Sequence, residues 1–156
     1  MPAKYALSIT LACLLVSSMC GAADQFPADN DFVRNAEQAA DQEVADARFA
    51  LKMSSHSDVR RAAQIMRRDG TTANRRLAAL AVEKGWPSPT LDMPDITSDY
   101  SDHSYVARQI RAQQDAIAFY KEEAANGADT DLQEFARETL PTLQHSLVSL
   151  QALRSS

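Results

Sequence analysis

Cysteine is almost missing from this chain, and the position of its two copies decides much of what can be excluded. Cys13 and Cys20 both lie in the first 23 residues. Everything from Asp24 onward is therefore without a thiol, which removes disulfides, thiolate metal sites and cysteine nucleophiles together. Histidine is scarce as well. There are three, at positions 56, 103 and 145, and no Glu-x-x-His pair. Only four glycines occur, with no Gly-rich phosphate loop and no Gly-x-Ser-x-Gly, so the common nucleotide-binding and serine-hydrolase arrangements are absent. One long apolar run is present, Tyr5–Val16, and it is too short to span a bilayer.

That run does have a reading. Lys4 gives a short basic start, Tyr5–Val16 an apolar stretch, and Ser17–Ala23 a tract of mostly small residues. Together these describe a signal peptide over residues 1–23, with Gly21 and Ala23 at the two small-residue positions read at cleavage. Export to a bacterial periplasm is the expectation. The alternative is a lipoprotein anchored at Cys20, against which stands Met19, where a small residue would precede the cysteine. No second apolar run could form a transmembrane span in the mature chain. Removing Lys4 from the sixteen basic side chains leaves fifteen against twenty-one acidic ones. This acidic balance favours solubility and gives no reason to bind nucleic acid.

What is abundant is helical periodicity. Residues 24–30 form a polar tail with a proline, and Asn30 or Asp31 can cap a first helix over Asp31–Met53. Its inward stripe is Ala36, Ala40, Ala47 and Ala50, with Phe32, Val44 and Leu51 beside it. Ser54–Asp58 is a tight turn. A second helix runs to Lys84 on a stripe of Val59, Ala62, Ala63, Met66, Gly70, Ala73, Leu77 and Ala81. The apolar phase is unbroken across Gly70, so the helix is expected to continue through it, and Gly70→Ala is expected to raise the melting temperature, since glycine costs about 1 kcal/mol in a helix. Gly85 closes the helix and the proline-containing stretch Trp86–Asp99 follows. A third helix starts near Ser98 or Ser101 and ends at Asn126-Gly127. A fourth, capped by Asp129 or Thr130, carries Leu132, Phe135, Ala136, Leu140, Leu143, Leu147 and Leu150, with Pro141 inside it as an expected kink. No strand alternation appears. Four amphipathic stripes that must bury one another, with two short turns and one long crossover between the second and third helices, predict an all-α, antiparallel four-helix bundle over residues 31–153.

Two features carry candidate chemistry. Glu43 falls on the alanine stripe of the first helix, at the same depth as Gly70, Gln113 and Ser146. A lone buried carboxylate must be protonated, hydrogen-bonded or paired. Glu43, Gln113 and Ser146 are therefore predicted to share a polar core cluster with hydrogen bonds and a buried water. The alternatives are a weak metal site on Glu43 and a partly solvated Glu43. The second feature is an arginine-rich flank on the second helix: Arg60, Arg61, Arg67, Arg68, Arg75 and Arg76. It reads either as pairing with Glu37, Asp41 and Asp46 of the first helix plus a solvated face, or as an anion-facing strip (Arg60, Arg67, Arg68, Arg75 and Arg76) for lipid headgroups or an acidic envelope protein. Ser101-Asp102-His103-Ser104 reads as a helix cap, since neighbouring residues at a helix start point apart and form no triad.

The order of Phe32-Val33, Glu43 in a small-residue helix, Val59, Ala63 and Met66, then Ala81–Gly85 and Leu140–Leu143 resembles the domain of unknown function 4142 family, exported bacterial proteins of ferritin-like four-helix fold. The resemblance covers about Asp31 to Leu153. In that family the second helix commonly carries Asp-His where this chain has Asp69-Gly70. The third commonly carries a histidine at the place of Gln113, and the fourth one near Ser146, beside His145. The resemblance thus implies a metal-binding or ferritin-like redox alternative in which Glu43 is kept and its histidine companions are not. On balance the sequence points to a non-catalytic exported protein, interaction or stress related. No cofactor is expected, with a divalent iron, manganese or zinc ion as the alternative.

Overall fold

Where each helix begins and ends follows from local chemistry. The computed structural model describes residues 26–86 and 100–155, which form four helices: α1 (Phe26–Met53), α2 (Ser57–Lys84), α3 (Asp102–Asn126) and α4 (Thr130–Ser155). Residues 1–25 and 87–99, on which the expected signal peptide and most of the expected crossover fall, lie outside the described residues.

One boundary differs from expectation. Helix α1 starts at Phe26, so most of the predicted polar tail 24–30 is helical. Pro27 then sits in the first turn, where an N–H has no intrahelical partner and a proline costs nothing. Asp29, also in that turn, is buried, and its carboxylate accepts from the Ala128 amide at 3.2 Å. This bond fastens the start of α1 to the α3–α4 turn.

The other ends match their residues. Ser54 accepts from the His56 amide in the α1–α2 turn. The Arg60 guanidinium reaches back to the carbonyls of Leu51 and Ser54, supplying donors that the end of α1 lacks. Gly85 adopts φ 68°, ψ 24°, and the Trp86 amide bonds the Ala81 carbonyl, a closure that favours glycine. Ser101 and Ser104 form a reciprocal capping box on α3. Asp129 caps α4 through the Leu132 amide at 3.1 Å. Helix α4 runs through Pro141 without a break, and α2 runs through Gly70.

Contacts fix the directions. Helix α1 packs on α2 and α3, and α4 packs on α3 and α2, leaving α1/α4 and α2/α3 on the diagonals. Phe32 meets Tyr120 while Asp46 meets Gln109, so α1 and α3 are antiparallel. Lys84 meets Asp131 while Arg76 meets Glu138, so α2 and α4 are antiparallel too. The diagonal helices α2 and α3 therefore run the same way, and Trp86 and Tyr100 lie at opposite ends of an all-α four-helix bundle.

Two apolar clusters close the bundle. One gathers Phe32, Val33, Leu77, Tyr120, Leu132 and Phe135 at the end where α1 starts. The second gathers Ala50, Val59, Met66, Tyr105, Val106, Ile110 and Leu150 at the end holding the α1–α2 turn. The layer between them is the part of the core that is not apolar. No helix among the described residues is long and apolar enough to cross a membrane.

Candidate functional site

The middle layer begins with an exchange between α1 and α3. Glu43 and Asp46 are three residues apart, on one face of α1. Gln109 and Gln113 are four apart, on the facing side of α3. Gln113 donates its amide N–H to the Glu43 carboxylate at 2.7 Å, and Gln109 donates to Asp46 at 3.0 Å. Gln42 donates to the other Asp46 oxygen at 3.1 Å. Both α3 glutamines are about 1% exposed. Each spends its N–H on a carboxylate, and each is left with a buried carbonyl oxygen that has no partner among the described residues.

Gly70 sets how closely α2 approaches this face. A Cβ built there would lie 3.2 Å from the Ala40 carbonyl oxygen, 3.0 Å from Val44 Cγ2 and 3.5 Å from Glu43 Oε1. Continuity of α2 is as expected, but the stabilisation expected for Gly70→Ala does not follow. The first of those neighbours is helix backbone, which cannot yield as a side chain can, so glycine here marks close packing.

Small residues elsewhere in the layer leave space. A cavity of about 400 Å³ opens between the four helices, walled by Ala36, Ala40, Ala73, Ala112, Ala116, Phe119 and Leu143. Its polar lining includes Glu43, Asp46, Asp69, Asp115, Gln113 and Ser146. Among the described residues no lysine, arginine or histidine lines it. Burial pushes the Glu43 carboxyl up to about 8; the Gln113 bond opposes this, and the charges of Asp69 and Asp46 add to it. Glu43 is thus held protonated at neutral pH. The phenols of Tyr105 and Tyr120 are also pushed up, first by burial and then by Glu43.

The structure brings Glu43 and Gln113 into contact. Ser146 is buried in the wall of the same cavity, but among the described residues it makes no hydrogen bond to either. Asp46 and Gln109 complete the layer and were not among the expected cluster. Their spacing was a usable signal, since three residues after Glu43 and four before Gln113 keep the same helix faces.

The arginines follow the two readings of that flank only in part: four of them form a solvated face, without the expected pairing to α1. Arg60 turns to the end of α1, and Arg76 pairs with Glu138 of α4 and stacks over Phe135 at 5.2 Å. Arg68 pairs with its neighbour Asp69 at 2.8 Å. Arg61, Arg67, Arg68 and Arg75 are exposed. The five residues Arg60, Arg67, Arg68, Arg75 and Arg76 therefore do not form one free strip. Nor do they pair with α1. Asp41 takes Asn74, and Asp46 takes glutamines and, at 3.9 Å, Arg108 of α3.

The histidines lie outside the layer. His56 pairs with Asp102, His103 stands beside it at the same end of the bundle, and His145 is exposed on α4. Among the described residues no three histidine, aspartate or glutamate side chains converge as metal ligands. Among the described residues the middle layer offers carboxylates and amides with no imidazole, a donor set that does not fit a dinuclear iron or manganese centre.

The fold and its middle layer define a class: a four-helix bundle with apolar ends and a polar, cavity-bearing centre. The sequence profile described as Domain of unknown function (DUF4142) matches residues 16–153, and the chain belongs to that family. Among curated proteins none matches. Among solved structures, the crystal structure of a DUF305 fragment from Deinococcus radiodurans is similar, with a TM-score of 0.72 and 17% identity over 83% of this chain and 96% of that one. At that identity the likeness concerns the fold alone.

Proposed function

We propose that this chain is an exported, non-catalytic binding protein whose working part is the mid-bundle cavity. The observation that carries the reading is the cavity of about 400 Å³ at mid-bundle, with alanine walls and a polar lining that includes Glu43. Bundles that use their core only for stability fill it with side chains. Here alanines keep space open, and polar side chains line part of it, as in small-molecule sites. No nucleophile with an adjacent base stands among the lining residues, so binding is favoured over catalysis. The N-terminal sequence supports export to the periplasm, with anchorage at Cys20 as the alternative.

The test is a titration of the purified chain with small organic molecules of positive, neutral and negative charge, followed by amide chemical shifts. Saturable shifts at Gly70, Ala73, Ala112 and Ala116 that vanish in Ala116→Leu support the reading. If no molecule of any charge produces them, the cavity is a packing defect and the reading fails.

A surface partner is a separate proposal, resting on the exposed Arg67, Arg68 and Arg75. Anionic headgroups or an acidic envelope protein would suit them. Flotation with anionic vesicles tests the lipid case, and unchanged binding after Arg67→Ala, Arg68→Ala and Arg75→Ala together would remove it.

A further inference from the structure

We infer that the α1–α2 side of the bundle is a docking face for an anionic lipid bilayer, on which Arg48 and Lys52 of α1 and Arg61, Arg67, Arg68 and Arg75 of α2 meet headgroup phosphates. The inference rests on the surface-partner reading above and fixes its residues, its side of the molecule and its partner.

Two helical periodicities build the face. Arg61, Arg68 and Arg75 are spaced by two helical turns, about 10.5 Å along the axis, so they form one line on α2 with Arg67 beside it. Arg48 stands two turns beyond Asp41, whose carboxylate takes Asn74 of α2 and feels the Arg48 charge. Arg48 and, one turn further, Lys52 therefore project on the α2 side of α1. Asp41 lies against Asn74, and the Leu51 carbonyl takes Arg60. In this antiparallel pair, Arg48 and Lys52 come level with the stretch of α2 that carries Arg61, Arg67 and Arg68.

All six cations are exposed. Arg68 pairs with Asp69, and Arg75 Nε donates to the Thr71 carbonyl of its own helix at 3.4 Å. Among the described residues Arg48, Lys52, Arg61, Arg67 and Arg75 form no ion pair. Over residues 44–76 the one exposed carboxylate is Asp58, at the start of α2. On α4, diagonal to α1, the exposed charges include Asp131, Glu134 and Glu138. An acidic chain thus turns a basic side outward, and repulsion of the acidic side orients it on a negative surface.

The chemistry of the face selects the partner. Guanidinium forks suit phosphate oxygens. Cations set out in a row do not converge on one free phosphate, whereas a bilayer offers phosphates across a plane. A protein partner would need an interface centre depleted of charge. Between Arg61 and Arg75 the other exposed residues are Gln64 and Thr72. The large exposed apolar side chains of α1 and α2 stand at the ends of the face, Met53 and Val82.

Flotation of the exported chain with vesicles of phosphatidylcholine, alone or mixed with phosphatidylglycerol, tests this. The chain should float with the anionic vesicles only. Salt at about 1 M, where the screening length is about 3 Å, should release it. Each surface cation contributes about fivefold to such binding. Arg61→Gln, Arg67→Gln and Arg75→Gln together should therefore weaken it about 100-fold, and Arg48→Gln with Lys52→Gln about 20-fold. A control removes three cations from other sides: Arg111→Gln, Lys121→Gln and Arg154→Gln together should weaken it less than about fivefold. Equal loss in the control, or no loss from the α1 pair, would overturn the face and leave the lipid reading standing. No flotation with anionic vesicles would overturn both. Equal flotation with phosphatidylcholine alone, or displacement by inorganic phosphate at constant ionic strength, would overturn the anionic bilayer as partner. Melting temperatures of the variants separate these outcomes from misfolding.

Discussion

The two ends of the bundle and its middle are built by opposite rules. At the end where α1 starts, Phe32, Tyr120 and Phe135 stack and interleave with Leu77 and Leu132, all nearly inaccessible. At the middle, the same four helices present alanine, glycine, glutamine and carboxylate, and they enclose space. Large apolar side chains at the ends hold the helices together, and this leaves the middle free to carry groups that cost stability. A core built uniformly like its ends would have no room for Glu43. A core built uniformly like its middle would not fold.

The largest test of that division is truncation. Phe135→Ala should cost about 3–5 kcal/mol, as aromatic truncations in cores do, and it also removes the platform beneath Arg76. Ser146→Ala, in the cavity wall, should change stability by less than about 1 kcal/mol. Urea unfolding of both variants measures the contrast. Equal losses would mean that the middle is packed as tightly as the ends.

Gly70→Ala comes next. On an exposed helix surface the change would stabilise by about 1 kcal/mol. Here the new methyl meets the Ala40 carbonyl oxygen at 3.2 Å and Val44 at 3.0 Å, so overpacking should cost about 1–3 kcal/mol. A rise in melting temperature would show that α1 can move away, and that the close approach is not what shapes the layer.

Protonation gives a third test. Glu43 binds its proton more tightly folded than unfolded, so the folded chain holds more protons between its ordinary carboxyl value and about 8. Stability therefore falls as pH rises through that window, by up to about 1.4 kcal/mol per unit of pKa difference. Glu123 acts in the same direction, pushed up to about 7 by burial and then by Asp29 and Asp129. Melting temperature should be higher at pH 5.5 than at pH 8, and Glu43→Gln should flatten the difference without abolishing it. A melting temperature that rises with pH would mean that Glu43 is ionised throughout.

Much of this was legible in the sequence, and the failures have physical causes. Four stripes, their caps at Ser101 and Asp129, the closure at Gly85 and the shared depth of Glu43, Gly70 and Gln113 all follow from periodicity, because an apolar face must be buried. The early start of α1 was hidden by Pro27, which ends helices in their interior yet suits their first turn. Gln109 was overlooked beside Val106 and Ile110, since a long amide on an apolar face gives no composition signal. The arginine flank was misleading because a repeat spacing fixes where a side chain starts, not where a long, flexible one ends. Arg60 and Arg76 reached past their own face to a helix terminus and to α4.

The smallest expected effect probes the empty space itself. Ala116 is half-buried in the cavity wall, whereas Ala81 is sealed in the apolar end. Leucine at position 116 has room to lie in the cavity and removes apolar surface from water, so Ala116→Leu should stabilise by about 0.5–1 kcal/mol. The same side chain at position 81 has no space and should destabilise. Opposite signs from one substitution, on two helices of one core, would locate the space without reference to any ligand. If both variants destabilise, the cavity closes in solution and the polar layer is a packed hydrogen-bond network. If Ala116→Leu stabilises and also abolishes the ligand-induced shifts at Gly70, Ala73 and Ala112, the open volume is kept for binding at the expense of stability.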